Sequence, residues 1–183
     1  SFLDTSDEGH SVIDPNTAVA PGTFSPFSAE EGKWSAEFSG GEYFEFDSSD
    51  FAFGTGDFTI ELWFYYNSWS YGLFTGGTPS NQVIGPALSP YNQGQGWQIY
   101  HGTSETNRDD TGLDDLAGTW VHVAYVRSSN QVRVYQNGVD VGATITDTTN
   151  YTNDEFSIGY YYNKASYDFE GYISNFRVVK GTA

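Results

Sequence analysis

Acids, histidines and aromatic rings are the side chains in this sequence whose grouping could do chemistry. Glu42, Glu45 and Asp47 fall in one short stretch. On an extended strand Glu45 and Asp47 share a face, while Glu42 points the other way. Glycoside hydrolysis needs two carboxylates opposed across a cleft, and this stretch aligns no full set. The most regular strand, 58–66, carries a single acid, Glu61. There is no Gly-x-Ser-x-Gly elbow for a nucleophilic serine. His10, His101 and His122 are far apart and lack metal-ligand spacing. Cysteine is absent, which excludes disulfides and thiolate metal sites. The expectation is a protein that is not an enzyme.

The rings point elsewhere. Segments 65–71 (Tyr-Tyr-Asn-Ser-Trp-Ser-Tyr) and 160–167 (Tyr-Tyr-Tyr-Asn-Lys-Ala-Ser-Tyr) are aromatic where turns are normally polar. Tyr and Trp present an apolar face and a polar edge, which suits the C–H faces and hydroxyls of a sugar. Tyr65 and Tyr66 close a strand and therefore face opposite sides, so at most one is core. The turn at Asn67 and Ser68 then lifts Trp69 and Tyr71 toward solvent. Alternation works the same way in 160–162, with Asn163 ending the strand. The candidate ligand contacts are Trp69, Tyr71 and Tyr161 by stacking and Asn163 by hydrogen bonding. Tyr91, Asn92 and Trp97 are further candidates.

These side chains need a scaffold of strands. The chain has 183 residues, of which 18% are aromatic and 21 are glycine, a composition that favours strands and tight turns. Phe58, Ile60, Leu62, Phe64 and Tyr66 alternate with Thr59, Glu61, Trp63 and Tyr65, which predicts a strand with the first set inward. Val121, Val123 and Tyr125 predict another, and 131–136 a third, joined by hairpin chemistry at 128–130. Asn137 and Gly138 turn the chain into a returning strand over 139–143. Shorter strands are expected at 11–14, 34–38, 43–46, 71–74, 82–88, 97–100, 155–161 and 172–179, and a long loop at 102–118. The predicted core is Phe58, Ile60, Leu62, Phe64, Val121, Val123, Val134, Ile158, Ile173 and Phe176. One domain over 1–183 is expected, cut from a longer protein, since the chain starts at Ser1 and holds no methionine.

Charge narrows the partners. Seven Lys+Arg against 24 Asp+Glu give a formal net charge of −17. Such a surface repels phosphate backbones, so no nucleic acid is expected. No apolar run is long enough to span a bilayer, so no membrane insertion is expected.

Several segments occur in an order that resembles a known family. They are 4–10 (Asp-Thr-Ser-Asp-Glu-Gly-His), 34–43 (Trp-Ser-Ala-Glu-Phe-Ser-Gly-Gly-Glu-Tyr), 51–63 (Phe-Ala-Phe-Gly-Thr-Gly-Asp-Phe-Thr-Ile-Glu-Leu-Trp), 118–127 (Gly-Thr-Trp-Val-His-Val-Ala-Tyr-Val-Arg), 134–139 and 169–177 (Phe-Glu-Gly-Tyr-Ile-Ser-Asn-Phe-Arg). Together they resemble the laminin-G-like, concanavalin A-like lectin and glucanase jelly rolls. The ending 179–183 resembles versions common in bacteriophage tail-associated and bacterial surface proteins. The resemblance implies an all-β, two-sheet antiparallel jelly-roll sandwich. It implies that Trp120, His122, Gly138 and Gly171 are structural. It also implies a structural calcium at the sandwich edge, held by Asp4, Asp7, Ser39, Gly41 and the neighbourhood of Asp168, although Ser174 stands where many relatives carry an acid. Hydrolases of this fold place three acids along one strand face, and Glu61 alone departs from that pattern. The reading is a non-enzymatic module binding a surface glycan, or an adhesion module, on a virion surface or outside the cell, among other subunits of a larger assembly. The alternative is a structural or protein-interaction module that binds no glycan.

Overall fold

The computed structural model describes residues 5–13, 19–28, 34–68, 72–76, 85–90, 96–104, 108–142, 144–160 and 168–183. Among these residues fourteen strands follow in chain order: β1 (Ala20–Gly22), β2 (Ser35–Ser39), β3 (Phe44–Asp47), β4 (Phe58–Tyr65), β5 (Phe74–Thr75), β6 (Ala87–Pro90), β7 (Trp97–Tyr100), β8 (Arg108–Asp110), β9 (Val121–Ser128), β10 (Gln131–Gln136), β11 (Val139–Asp140), β12 (Ile145–Thr146), β13 (Glu155–Ile158) and β14 (Glu170–Lys180). They form two antiparallel sheets. The larger runs β1-β2-β14-β4-β9-β10-β11, with β12 also on β10, and the smaller runs β3-β13-β5-β6-β7-β8.

Period two builds the core. On β4 burial alternates residue by residue, with Phe58, Ile60, Leu62 and Phe64 inside and their neighbours half-buried on the outer face. Val121, Val123 and Tyr125 of β9 and Val132 and Val134 of β10 continue the inner face across the sheet. Phe74, Leu88, Ile99, Phe156 and Ile158 meet them from the smaller sheet. Burying such side chains stabilises the sandwich by about 1.5–3 kcal/mol each before conformational entropy is counted. Tyr66 is buried and Tyr65 is not, as the alternation required.

Several expectations need correction, among them the bounds of β5, β6 and β13, expected at 71–74, 82–88 and 155–161. Phe176 is only half-buried, because β14 bulges between Ser174 and Arg177 around Asn175 at φ 51°. The expected loop 102–118 contains β8, a polar edge strand with no alternation to reveal it. Residues 11–13 form a single bridge, Ile13 to Glu45, rather than a strand. The turn after Gly138 returns as a two-residue strand, and β12 follows separately on β10. β1, unforeseen because of Pro21, lies at the edge of the larger sheet, where a missing N–H is tolerated.

Candidate functional site

Strand register places side chains in rows across the outer face of the larger sheet. One row is Glu37, Tyr172 and Tyr65 on β2, β14 and β4. The next is Ser35, Ser174, Trp63 and His122. A third is Arg177, Glu61 and Ala124. The first row is aromatic because Tyr172 and Tyr65 each neighbour a core residue, Ile173 and Phe64, and so must face outward. Phe24 stands over it, with ring centroids 4.7 Å from Tyr65, 5.1 Å from Tyr172 and 5.4 Å from Trp120. Phe24 is itself 45% exposed and Trp34 57%.

Beside this platform opens a groove of about 200 Å³ lined by Glu37, Ser39, Asn67, Ser68, Glu170 and Tyr172 among others. Tyr172 belongs to both groove and platform. Its hydroxyl donates to Glu37 Oε1 at 3.1 Å. That bond, more than burial, holds the phenol above its ordinary pKa. The lining thus offers carboxylate, amide and hydroxyl groups next to exposed rings, the combination that binds polyols.

At the C-terminal end of β2 the chain turns through Gly40 and Gly41, at φ 98° and 90°, where a side chain would be strained. Ser39 N–H donates to Glu42 Oε2 at 2.9 Å. Asp168 meets this turn through a hydrogen bond from the Gly41 backbone. Its Oδ1 is buried without a hydrogen-bond partner. Burial first, then Glu42 and Glu170, push its carboxyl above the ordinary range. An unfilled carboxylate oxygen amid other carboxylates fits a cation. Among the described residues, however, no group of three or more His, Asp or Glu is arranged to hold a metal.

The expected calcium residues are therefore only partly brought together. Ser39, Gly41 and Asp168 share the turn. Asp7 is exposed, and its segment is tied by His10 to Asp50 at 3.0 Å, past the far end of β3. Asp4 lies outside the described residues, as do all four expected ligand contacts, Trp69, Tyr71, Tyr161 and Asn163. Their flanks are described. Asn67 and Ser68 lead from the groove wall into 69–71. Tyr160 bridges Asp168, next to the Gly41 turn, and 161–167 lie outside the described residues. Sequence reasoning missed Glu37, Glu170 and Tyr172, and named Tyr65 only within the aromatic segment 65–71. Their parity was readable, but the pairing of β2, β14 and β4 that assembles them was not.

Glu61 and the three histidines, which lie away from the groove, are already engaged. Glu61 Oε1 accepts from Arg177 Nη1 at 3.1 Å, and Oε2 lies 3.5 Å from His122 Nε2. His122 also packs on Trp63, with centroids 5.3 Å apart. His10 packs at a tilt against Phe51, and its hydrogen bond is the main cause holding Asp50 below the usual carboxylate value. His101 contacts Asp109 at 3.0 Å.

Two antiparallel sheets enclosing an aromatic core, with half-wet rings on one outer face, define a lectin-like jelly roll. The chain belongs to the concanavalin A-like lectin/glucanases superfamily, whose laminin-G-type model matches residues 38–182. Comparison with curated proteins finds none that matches this sequence. Among solved structures, domain 4 of AbnA, an extracellular arabinanase of Geobacillus stearothermophilus in complex with arabinotriose, is similar at 20% identity and TM-score 0.66, covering 91% of this chain and 77% of that one. The binding domain of botulinum neurotoxin DC in complex with SialylT is similar at 16% identity and TM-score 0.70, covering 99% of this chain and 45% of that one. A Trypanosoma rangeli sialidase gives 17% identity and TM-score 0.58 over 81% of this chain and 25% of that one. This chain spans less than half of the toxin and sialidase chains it matches. Among the described residues, no helix is long and apolar enough to cross a membrane.

Proposed function

We propose that this chain is a non-catalytic carbohydrate-binding module of an extracellular or virion-surface protein. The observation that carries the reading is the groove at Glu37, Asn67 and Tyr172, where hydrogen-bonding groups adjoin the exposed ring platform. The carbohydrate complexes of similar folds, with arabinotriose and SialylT, support it by analogy. Trp69, Tyr71, Tyr161 and Asn163 complete the site from the two adjoining segments. Hydrolysis is disfavoured because Glu61, the one acid on β4, has both oxygens engaged and no opposed carboxylate on that strand. A structural calcium would sit at the turn of Ser39 and Gly41 beside Asp168, with Asp4 and backbone oxygens completing its coordination. Each site is weak on its own, so adhesion relies on many copies in an assembly.

A glycan array followed by calorimetric titration tests this. Tyr172→Ala is expected to weaken binding of the array hit about tenfold, since a stacking ring contributes about 0.5–1.5 kcal/mol beyond its area burial. Trp69→Ala is expected to act similarly. Full affinity in a folded Tyr172→Ala protein would place the site elsewhere. The exposed Phe24 and Trp34 favour a second reading, a protein contact on the same face, which a blank array would promote.

A further inference from the structure

We infer that the groove selects neutral glycans over acidic ones, with Glu37 as the specificity-determining residue. The inference rests on the glycan-binding reading above and concerns the chemistry of its ligand. Glu37 lines the groove at the β2 end of the first row, hydrogen-bonded to the Tyr172 hydroxyl at 3.1 Å and opposite Tyr172 in the β2–β14 pairing. A carboxylate is acceptor-only and holds several lone-pair sites, so it receives sugar hydroxyl protons well. Charge-assisted bonds of this kind are about twice as strong as neutral ones. The same group repels a sugar carboxylate or sulfate brought to the same wall.

No Lys or Arg lies among the described lining residues to offset it, and Lys164, next to the proposed contact Asn163, lies outside the described residues. Arg177, on the same outer face, is engaged by Glu61. Arg133 is engaged by Asp140 at 2.7 Å, and Arg127 is buried inside the sandwich. The whole chain adds a long-range bias of the same sign, 24 acids against seven basic residues. Like charges about 4 Å apart lower affinity about fivefold in water-like surroundings, and more where the local dielectric falls. A neutral pyranose or furanose loses nothing to this field.

The test is an array on which each neutral glycan stands beside its sialylated, sulfated or uronate-bearing counterpart, probed with wild type and Glu37→Gln at low and high salt. Thermal unfolding confirms that both proteins are folded. The expected result is that neutral members bind and their acidic counterparts bind at least about fivefold more weakly. High salt should narrow that ratio, because screening acts on exposed charges. Glu37→Gln should narrow it too. Acidic members that match or exceed their neutral counterparts with wild type would overturn the selectivity while leaving glycan binding intact. A ratio unchanged in Glu37→Gln would remove Glu37 from the role. No hit on any member would sink the glycan-binding reading and the inference with it.

Discussion

The two ends of β4 use charge and aromatic rings in opposite ways. At the Phe58 end, Arg127 projects inward from β9 and is fully buried. Its Nε donates to Gly56 O at 2.9 Å, Nη1 to Thr149 O at 2.9 Å, and Nη2 to Gly54 O and Gly56 O at 2.7 and 2.6 Å. Its guanidinium lies 4.9 Å from the ring centroids of both Phe58 and Tyr151. Asp147 is 3.6 Å away, equally buried, and takes the Tyr151 hydroxyl at 2.7 Å. At the Tyr65 end, rings are half-exposed, Trp120 Nε1 and Asp168 Oδ1 are buried without partners, and a groove is open. Satisfied polar groups lock the loops together at the first end, whereas half-exposed rings beside a polar groove form the second.

The largest expected effect breaks the closed end. Arg127→Leu leaves the Asp147 charge uncompensated and orphans the carbonyls of Gly54, Gly56 and Thr149. Removing one partner of a buried pair costs about 3–5 kcal/mol. Chemical denaturation should show that loss, and because the group is shielded from solvent, the loss should change little with salt. A cost below about 1 kcal/mol would mean the loops 54–56 and 147–149 are held by other contacts.

Much of this architecture was legible in the sequence, and the reason it was legible explains what was not. The period of two on Phe58, Ile60, Leu62 and Phe64 placed β4 and its inner face, and Asn137 with Gly138 placed the turn after β10. Arg127 follows the same parity as Val121, Val123 and Tyr125. A charged side chain on a core face nevertheless argues against its own burial until the loop carbonyls that receive it are known. The groove was hidden for a topological reason. Glu37, Tyr65 and Tyr172 are far apart in the chain and meet only because β14 inserts between β2 and β4. Polar β8 and proline-bearing β1 escaped because edge strands need neither alternation nor a full set of donors.

A middle-sized effect sharpens the open end. Calcium bound only by the folded protein stabilises it by about 2.7 kcal/mol at roughly a hundredfold excess over its dissociation constant. Protein stripped with chelator should therefore gain thermal stability with calcium beyond matched magnesium or sodium. The pH dependence has a definite sign. Burial and Glu42 raise the Asp168 carboxyl above its ordinary value, so the metal-free folded state binds that proton more tightly than the unfolded chain does. Stability without metal should rise as pH falls through the raised value and be lost as pH climbs above it. Calcium needs the ionised carboxylate, so its stabilisation should fade as pH drops. Asp168→Asn should flatten both trends in melting curves. An equal calcium shift in that variant would move the ion away from Asp168.

The smallest effect concerns the arginine that most closely contrasts with Arg127. Arg177 points outward from β14 with its side chain 65% exposed, and Glu61 is 26% exposed at 3.1 Å. An exposed ion pair gains little because water already solvates both charges and the long side chain loses freedom in pairing. Such pairs contribute about 0.2–1 kcal/mol. Arg177→Ala leaves Glu61 with His122 at 3.5 Å on its other oxygen, so no buried charge is orphaned. A double-mutant cycle of Arg177→Ala with Glu61→Gln, followed by urea denaturation, should give a coupling in that small range that shrinks at high salt. A coupling above about 2 kcal/mol that persists at high salt would mean this face is dry in solution, covered by another chain or by a segment of this one. The outer face of the larger sheet would then be an interface rather than a glycan platform, and the contrast between the two ends of β4 would fail at its open end.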